Sequence, residues 1–410
     1  MPLRASLSGS IEQAVSGLAP GALGVAVSGG GDSMALLHLL AARGPVRAVT
    51  VDHGLRPEAA GEAEFVGEVC AGLGVPHDVL RWHWDGQGNL QDRARRARRR
   101  LIASWAAPLG ITHVALAHTA DDQAETFLMR LAREAGVDGL SGMAAETAAQ
   151  GVTWLRPLLG HGRAELRDYL RARGLSWIED PSNEDPRYER VKARRALAAL
   201  APLGIGAGTL ARVSAQLAEA RAALEAQVAS LVANHARVEA GDVLIETAAL
   251  AAAPAEIQRR VLAQALRWVA SAEYGPRRAA LARLLDDIAA ARAATVHGCL
   301  VQPGAAQVRI GREFNAVAES RAPAPGTWDG RWRLDGPGKE GLEIRALGPE
   351  GLAQCPDPRA VGLPRATLVA SPSVWDGEVL VAAPLAGMGG NWRATLFAAP
   401  DTAFARIISH

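Results

Sequence analysis

No segment constrains this chain more than Leu23–Leu40, which reads LGVAVSGGGDSMALLHLL. Leu23, Val25 and Val27 form a short apolar run, the pattern of a buried strand. Ser28, Gly29, Gly30 and Gly31 follow as a turn, and three residues without Cβ permit positive φ and close backbone approach. Asp32 and Ser33 stand where a helix is capped, and Met34, Leu36, Leu37, Leu39 and Leu40 supply its buried face. Strand, glycine turn and helix N-terminus together make an anion cradle, because backbone N–H groups and the positive end of the helix dipole converge on it. Two common phosphate loops are excluded. No Lys follows the glycines, as a Walker A loop requires, and the glycine spacing is not that of a dinucleotide fingerprint. Without a lysine another group must neutralise phosphate, and Asp32 suggests a bridging divalent ion.

The SGGxDS pattern resembles the PP-loop of the ATP pyrophosphatase family, whose members cleave ATP to AMP and pyrophosphate. The rest of this half suits such a fold. Val46–Val51 reads as the next strand and ends in Asp52-His53-Gly54-Leu55-Arg56. Ala59–Leu73 is a helix, Asp78–Trp82 a strand, Asn89–Ala107 a helix and Ile111–Ala117 a strand. Alternating strands and helices argue for βα units around a parallel sheet. Ala120–Ala135 is a helix with acids in its first turns and Arg toward its end, as the dipole favours. Arg163–Arg173 is another helix, and Leu175–Glu179 a short strand.

Composition narrows the class. A length of 410 residues suggests two to three domains. The net charge of +1 excludes a chain that binds polyanions over its whole surface, so a nucleic-acid face must come from local clusters. Cys70, Cys299 and Cys355 lie far apart with no CxxC pair, which argues against a zinc ribbon or disulfide framework and fits a reducing cytosol. The N-terminus lacks an apolar signal core. Leu101–Ala120 is the longest stretch free of Asp, Glu, Lys and Arg, and its Pro108, Gly110, His113 and His118 make it a poor membrane span. The expectation is a cytoplasmic protein that does not engage a membrane.

Three further constellations carry chemistry. His118, Asp121, Asp122 and Glu125 follow a predicted strand and open a helix, and spacings of three and four put the acids on neighbouring turns of one side. They could hold Mg²⁺ with several waters retained, bind a substrate ammonium, or only stabilise the helix N-terminus. In NLQDRARRARRR six Arg residues crowd Arg93–Arg100, too many for one helix face. Arg95 and Arg98 are candidates for phosphate, for which the guanidinium fork is suited; a solvated basic helix is the alternative. Trp82, Trp84 and Trp105 nearby read as core rather than as a base-stacking platform. Finally, Asp180-Pro181-Ser182-Asn183 is a turn, and the basic run after it includes Arg187, Arg190, Lys192 and Arg194. It could meet RNA or ATP phosphate, or line a domain edge.

Taken in order, SGGGDS, VDHGLR, NLxxxAR, ADDQAETFLMRLAR with GLSGM, RPLL, and WIEDPSNED with RY resemble the tRNA(Ile)-lysidine synthetase family over residues 23–195. The likeness is weaker over 236–320, in AEIQRRVLAQALRW and HGCL, and near absent after 320. It implies an α/β fold with a parallel-sheet PP-loop domain (adenine nucleotide alpha hydrolase-like) at residues 1–200. A helical connector follows at 201–235, a helical and mixed tRNA-binding domain at 236–320, and a small β-rich region at 321–410. It implies a ligase acting on the wobble cytidine of an isoleucine tRNA with a CAU anticodon. ATP adenylates the C2 oxygen of cytosine, free L-lysine attacks C2 through its ε-amine, and AMP leaves. Ser28–Ser33 would hold the pyrophosphate of ATP, and Asp32 and Asp122, as catalytic residues, would hold Mg²⁺. Asp121 and Glu125 would take the lysine ammonium, and Arg95, Arg98, Arg190 and Arg194 the RNA. Family members are often homodimers. A PP-loop tRNA thiolase and a non-catalytic RNA-binding protein are the rival readings.

Overall fold

The computed structural model describes residues 6–54, 59–83, 90–179 and 189–397. The expectations placed on Leu55, Arg56, Trp84, Asn89, the Asp180–Asn183 turn and Arg187 lie outside the described residues. By internal contacts the chain divides into two units, residues 1–221 and 222–410.

In the first unit, α1 (Leu7–Val15) precedes β1 (Leu23–Ala26), α2 (Gly31–Ala41), β2 (Arg47–Asp52), α3 (Ala59–Leu73), β3 (His77–Arg81), α4 (Leu90–Ala106) and β4 (His113–Ala115). Then come α5 (Ala120–Leu131), α6 (Val137–Leu140), β5 (Glu146–Ala149), β6 (Val152–Leu155), α7 (Arg163–Arg171) and α8 (Glu189–Leu200). The sheet order is β3-β2-β1-β4-β6-β5, parallel throughout except for the β5–β6 hairpin. Apolar runs such as Leu23–Val27 are what a sheet covered on both faces demands. One face packs on α1, α2, α3 and α7 through Ile11, Met34, Leu36, Val66 and Leu170. The other packs on α4 through Ile102, Ala103 and Ala106. The chain leaves β1 toward β2 and β3, then returns to β4 on the other side of β1. The carboxyl ends of β1 and β4 therefore flank the switch point, where open α/β sheets bind ligands.

Two local expectations are revised. The predicted strand Leu175–Glu179 is reduced to one bridge, Ile178 with Gly30. The predicted strand Ile111–Ala117 forms only over His113–Ala115, because the chain turns out at its carboxyl end to begin the acidic helix.

The long helix α9 (Ala207–His235) runs through the boundary between the units. Beyond it, β7 (Ala236–Glu239), β8 (Asp242–Glu246), α10 (Thr247–Ala252), α11 (Ala255–Val269), α12 (Arg278–Ala289), β9 (Ala294–Val296), β10 (Cys299–Pro303) and β11 (Gln307–Arg312) build a five-stranded antiparallel sheet with covering helices. Its core includes Ile257, Val261, Trp268, Leu284 and Ile310. The remainder is β-rich, as expected: β12 (Ala322–Pro323), β13 (Gly326–Trp328), β14 (Trp332–Asp335), β15 (Leu342–Ala346), α13 (Gly348–Gln354), α14 (Arg365–Val369), β16 (Pro372–Asp376), β17 (Val379–Ala382) and β18 (Arg393–Leu396) form sheets of four and three strands.

A buried polar network ties this β-rich end to the five-stranded sheet. Asp242 on β8 accepts from Arg309 at 2.9 Å and from Thr367 on α14 at 2.6 Å. Removing Asp242 strips Arg309 of one of its two carboxylates, Glu239 being the other, and leaves the Thr367 hydroxyl without its acceptor; breaking a buried pair costs up to about 3–5 kcal/mol. Asp242→Ala is therefore expected to lower the unfolding midpoint of the second unit sharply in urea. An unchanged midpoint would show that the network contributes nothing net.

Candidate active site

The glycine turn is built from the end of β1 into α2. Only Gly29 uses the left-handed region, at φ +83°, and a Cβ there would stand 2.8 Å from Ile178 Cδ1. Gly30 has an ordinary φ of −69° and is itself the N-cap of α2, with no side chain capping the first turn. Asp32 and Ser33 thus lie inside the first turn rather than capping it. Ser33 closes the loop on itself: its hydroxyl donates to the Gly30 carbonyl at 2.9 Å and accepts from the Ser28 amide at 3.1 Å. Behind the loop the Ile178 amide donates to the Gly29 carbonyl at 2.9 Å, and Trp177 backs Gly31. The single bridge left from the predicted strand is a brace that holds the cradle in shape.

At the end of β4, Thr119 caps α5 reciprocally with Asp122: the Thr119 amide and hydroxyl donate to Asp122 Oδ2 at 2.9 and 3.0 Å. That leaves Asp122 Oδ1 directed into the site. Gln123 clamps the Met143 backbone through both ends of its amide, which docks the GLSGM segment on α5. Asp122 and Glu125 then meet Asp32 around one guanidinium, that of Arg163. Arg163 donates through Nε to Asp32 at 3.2 Å, through NH2 to Asp122 at 2.7 Å and through NH1 to Glu125 at 2.6 Å. Its backbone amide donates to Asp121 Oδ2 at 2.8 Å. Helix α8 packs against α5, and Arg190 and Arg194, one turn apart, face Asp122 and Glu125, also one turn apart. Arg194 Nε donates to Glu125 at 2.7 Å, and Arg190 lies 3.7 Å from Asp122.

Charge in this site follows from burial and neighbours. Burial pushes the Asp32 carboxyl up, outweighing the Arg163 charge beside it. Asp122 feels the same burial, but Arg163, the Thr119 amide and Arg190 hold it below the usual carboxylate range. On the side of β4 toward α4 the field is positive. Burial, with Arg95, Arg99 and Arg190 adding repulsion, pushes Arg98 down to about 10. Arg156, at the end of β6, is pushed down to about 10 by burial and by Arg99 and Arg95. Both stay charged at neutral pH. His118 feels both these arginines and Asp122, and burial pushes it down to about 3, so its ring is neutral.

The structure therefore brings Ser28–Ser33, Asp32, Asp121, Asp122 and Glu125 to one place at the switch point. Arg98 and Arg190 both repel a charge on His118, Arg194 is engaged by Glu125, and Arg95 is exposed on α4. Sequence reasoning passed over Arg163 and Arg156. Arg163 carried one signal: it stands in the first turn of α7, where the dipole disfavours a cation. A cation kept there needs acids to hold it. Mg²⁺ favours hard carboxylate oxygens and keeps most of its shell for water and phosphate. Asp32 and Asp122, both within reach of one guanidinium, are a donor pair that fits it.

Residues 4–201 match the PP-loop domain family. Over 397 residues the chain is 51% identical to the tRNA(Ile)-lysidine synthase of Ruegeria pomeroyi, covering 95% of each chain. Its identity to the protein of the same name from Rhodopseudomonas palustris is 44%, over 60% of this chain and 74% of that one. For the one from Hyphomonas neptunium it is 40%, over 68% and 78%.

Proposed function

The chain belongs to the tRNA(Ile)-lysidine synthase family, and on that premise we propose that it ligates lysine to C2 of the wobble cytidine in the CAU-anticodon isoleucine tRNA. In the first step the cytosine C2 oxygen attacks the α-phosphorus of ATP, the bond to the β-phosphate oxygen breaks, and pyrophosphate leaves. In the second the lysine ε-amine attacks C2, the C2–O bond breaks, and AMP leaves. The amine has an ordinary pKa of ~10.4, so it must lose a proton before attack.

The observation that carries this reading is the meeting of Asp32, from the glycine turn, with Asp122 and Glu125 around one cation. The turn supplies backbone donors for the pyrophosphate. Arg98 and Arg190 set positive charge beside it, for ATP or RNA phosphate. Mg²⁺, held by Asp32 and Asp122, would neutralise charge that builds on the departing pyrophosphate. Asp121 and Glu125 would receive the lysine ammonium; Glu125 is 1% exposed and its Oε2 has no partner among the described residues. Neutral His118 can approach these arginines without repulsion. Arg277, Arg278 and Arg283, exposed at α12, support a tRNA phosphate contact by the 236–320 region.

The thiolase reading is disfavoured by the cysteines. All three are buried, and burial pushes Cys70 up to about 11 and Cys299 to about 12, which suppresses the thiolate that sulfur transfer needs. Unpaired thiols also support a cytoplasmic setting. The test is AMP release with the CAU-anticodon isoleucine tRNA, with and without lysine. Release is expected to require both lysine and that tRNA. Release that ignores lysine would overturn ligation, and no ATP turnover at all would favour RNA binding without catalysis.

A further inference from the structure

We propose that Arg163 is an internal stand-in cation: it holds the carboxylates in their reactive arrangement and competes with the cations that enter during the reaction. The inference rests on the proposed function for the identity of those cations.

The geometry is specific. One guanidinium places a separate N–H on each of three carboxylates, from α2 and from two turns of α5. A fork with fixed directions does this, and a point charge does not. The backbone beneath it is anchored. The Ala120 amide donates to the His161 carbonyl at 2.8 Å, and the Arg163 amide to Asp121. The buried His161 ring is held by Ser10 at 2.8 Å and by Glu165 at 3.0 Å. With the main chain pinned, only side-chain rotation withdraws the guanidinium.

The occupied acids are those proposed for metal and amine. Asp32 Oδ2 and Asp122 Oδ1 face Arg163, while the second oxygen of Asp122 is taken by Thr119. Glu125 gives Oε1 to Arg163 and Arg194, and its Oε2 is buried with no hydrogen-bond partner among the described residues. A metal on the aspartates or an ammonium on Glu125 must share or displace the Arg163 contacts. Arg163 is thus a positioning residue that keeps the acids together and weakens the binding of any other cation to them.

The test titrates Mn²⁺ into the full chain without nucleotide, followed by electron paramagnetic resonance. Arg163→Met removes the competing charge and is expected to tighten Mn²⁺ binding at least about tenfold, given the strength of like-charge repulsion at such distances. Its kcat for lysine-dependent AMP release is expected to fall, because the acids are no longer held. Arg163→Lys keeps the charge but loses the fork, so the Mn²⁺ gain is expected to be smaller, about threefold, which covers the case in which the Met variant does not fold. Unchanged or weaker Mn²⁺ binding in a folded variant overturns the proposal. If the wild type shows no lysine-dependent AMP release, the proposed function falls, while the Mn²⁺ comparison still decides the role of Arg163.

Discussion

Asp32→Asn is expected to reduce lysine-dependent AMP release about 1000-fold, the scale seen when a charge-stabilising group is removed from a reacting centre. It is expected to do so without lowering the unfolding midpoint. The amide keeps an oxygen for the 3.2 Å contact from Arg163 Nε. What it removes is a negative charge that burial already penalises, since the Asp32 carboxyl is pushed above its ordinary range even with Arg163 beside it. Where burial already disfavours the charged form, neutralising the group costs the fold little, and stability traded for activity is the usual sign of a functional residue. Near-normal turnover in Asp32→Asn would remove Asp32 from the reaction. A large fall in stability would make it structural.

The glycine turn yields the second large effect, by contrasting neighbours. Gly29→Ala forces a Cβ into the left-handed region, which costs about 1–2 kcal/mol, and sets it against the Ile178 brace. Stability and turnover should both fall. Gly30 has an ordinary φ, and a Cβ there meets nothing closer than Ser28 Oγ at 3.8 Å. Gly30→Ala should keep its thermal midpoint yet lose at least about 100-fold in pyrophosphate release, because the open space it fills is the phosphate cradle. If Gly30→Ala turns over ATP normally, the phosphates do not lie against that turn.

Much of this was legible in the residues. The span Ala59–Leu73 is a helix as read, and α5 begins at Ala120 as the acid-first pattern requires. The grouping of Asp121, Asp122 and Glu125 follows from helical spacing alone. Contacts over long sequence separations were not legible. Nothing local in RPLLGHGRAEL says that Arg163 meets Asp32, 131 residues earlier. Nothing in Leu175–Glu179 says that Ile178 alone makes a strand bridge, and to a glycine. The β5–β6 hairpin turns at Gln150 and Gly151, both at positive φ. That turn favours Asn or Asp at its first position, so Gln150 hid it. In the β-rich end the pairing of β14 with β18 joins strands about sixty residues apart, a register set by packing.

The most direct measurement incubates the CAU-anticodon isoleucine tRNA with the protein, ATP, Mg²⁺ and labelled lysine, then digests the RNA to nucleosides. The prediction is one labelled nucleoside at the wobble position, heavier than cytidine by lysine less one water, formed one for one with AMP. AMP formed with the cytidine unchanged would contradict it.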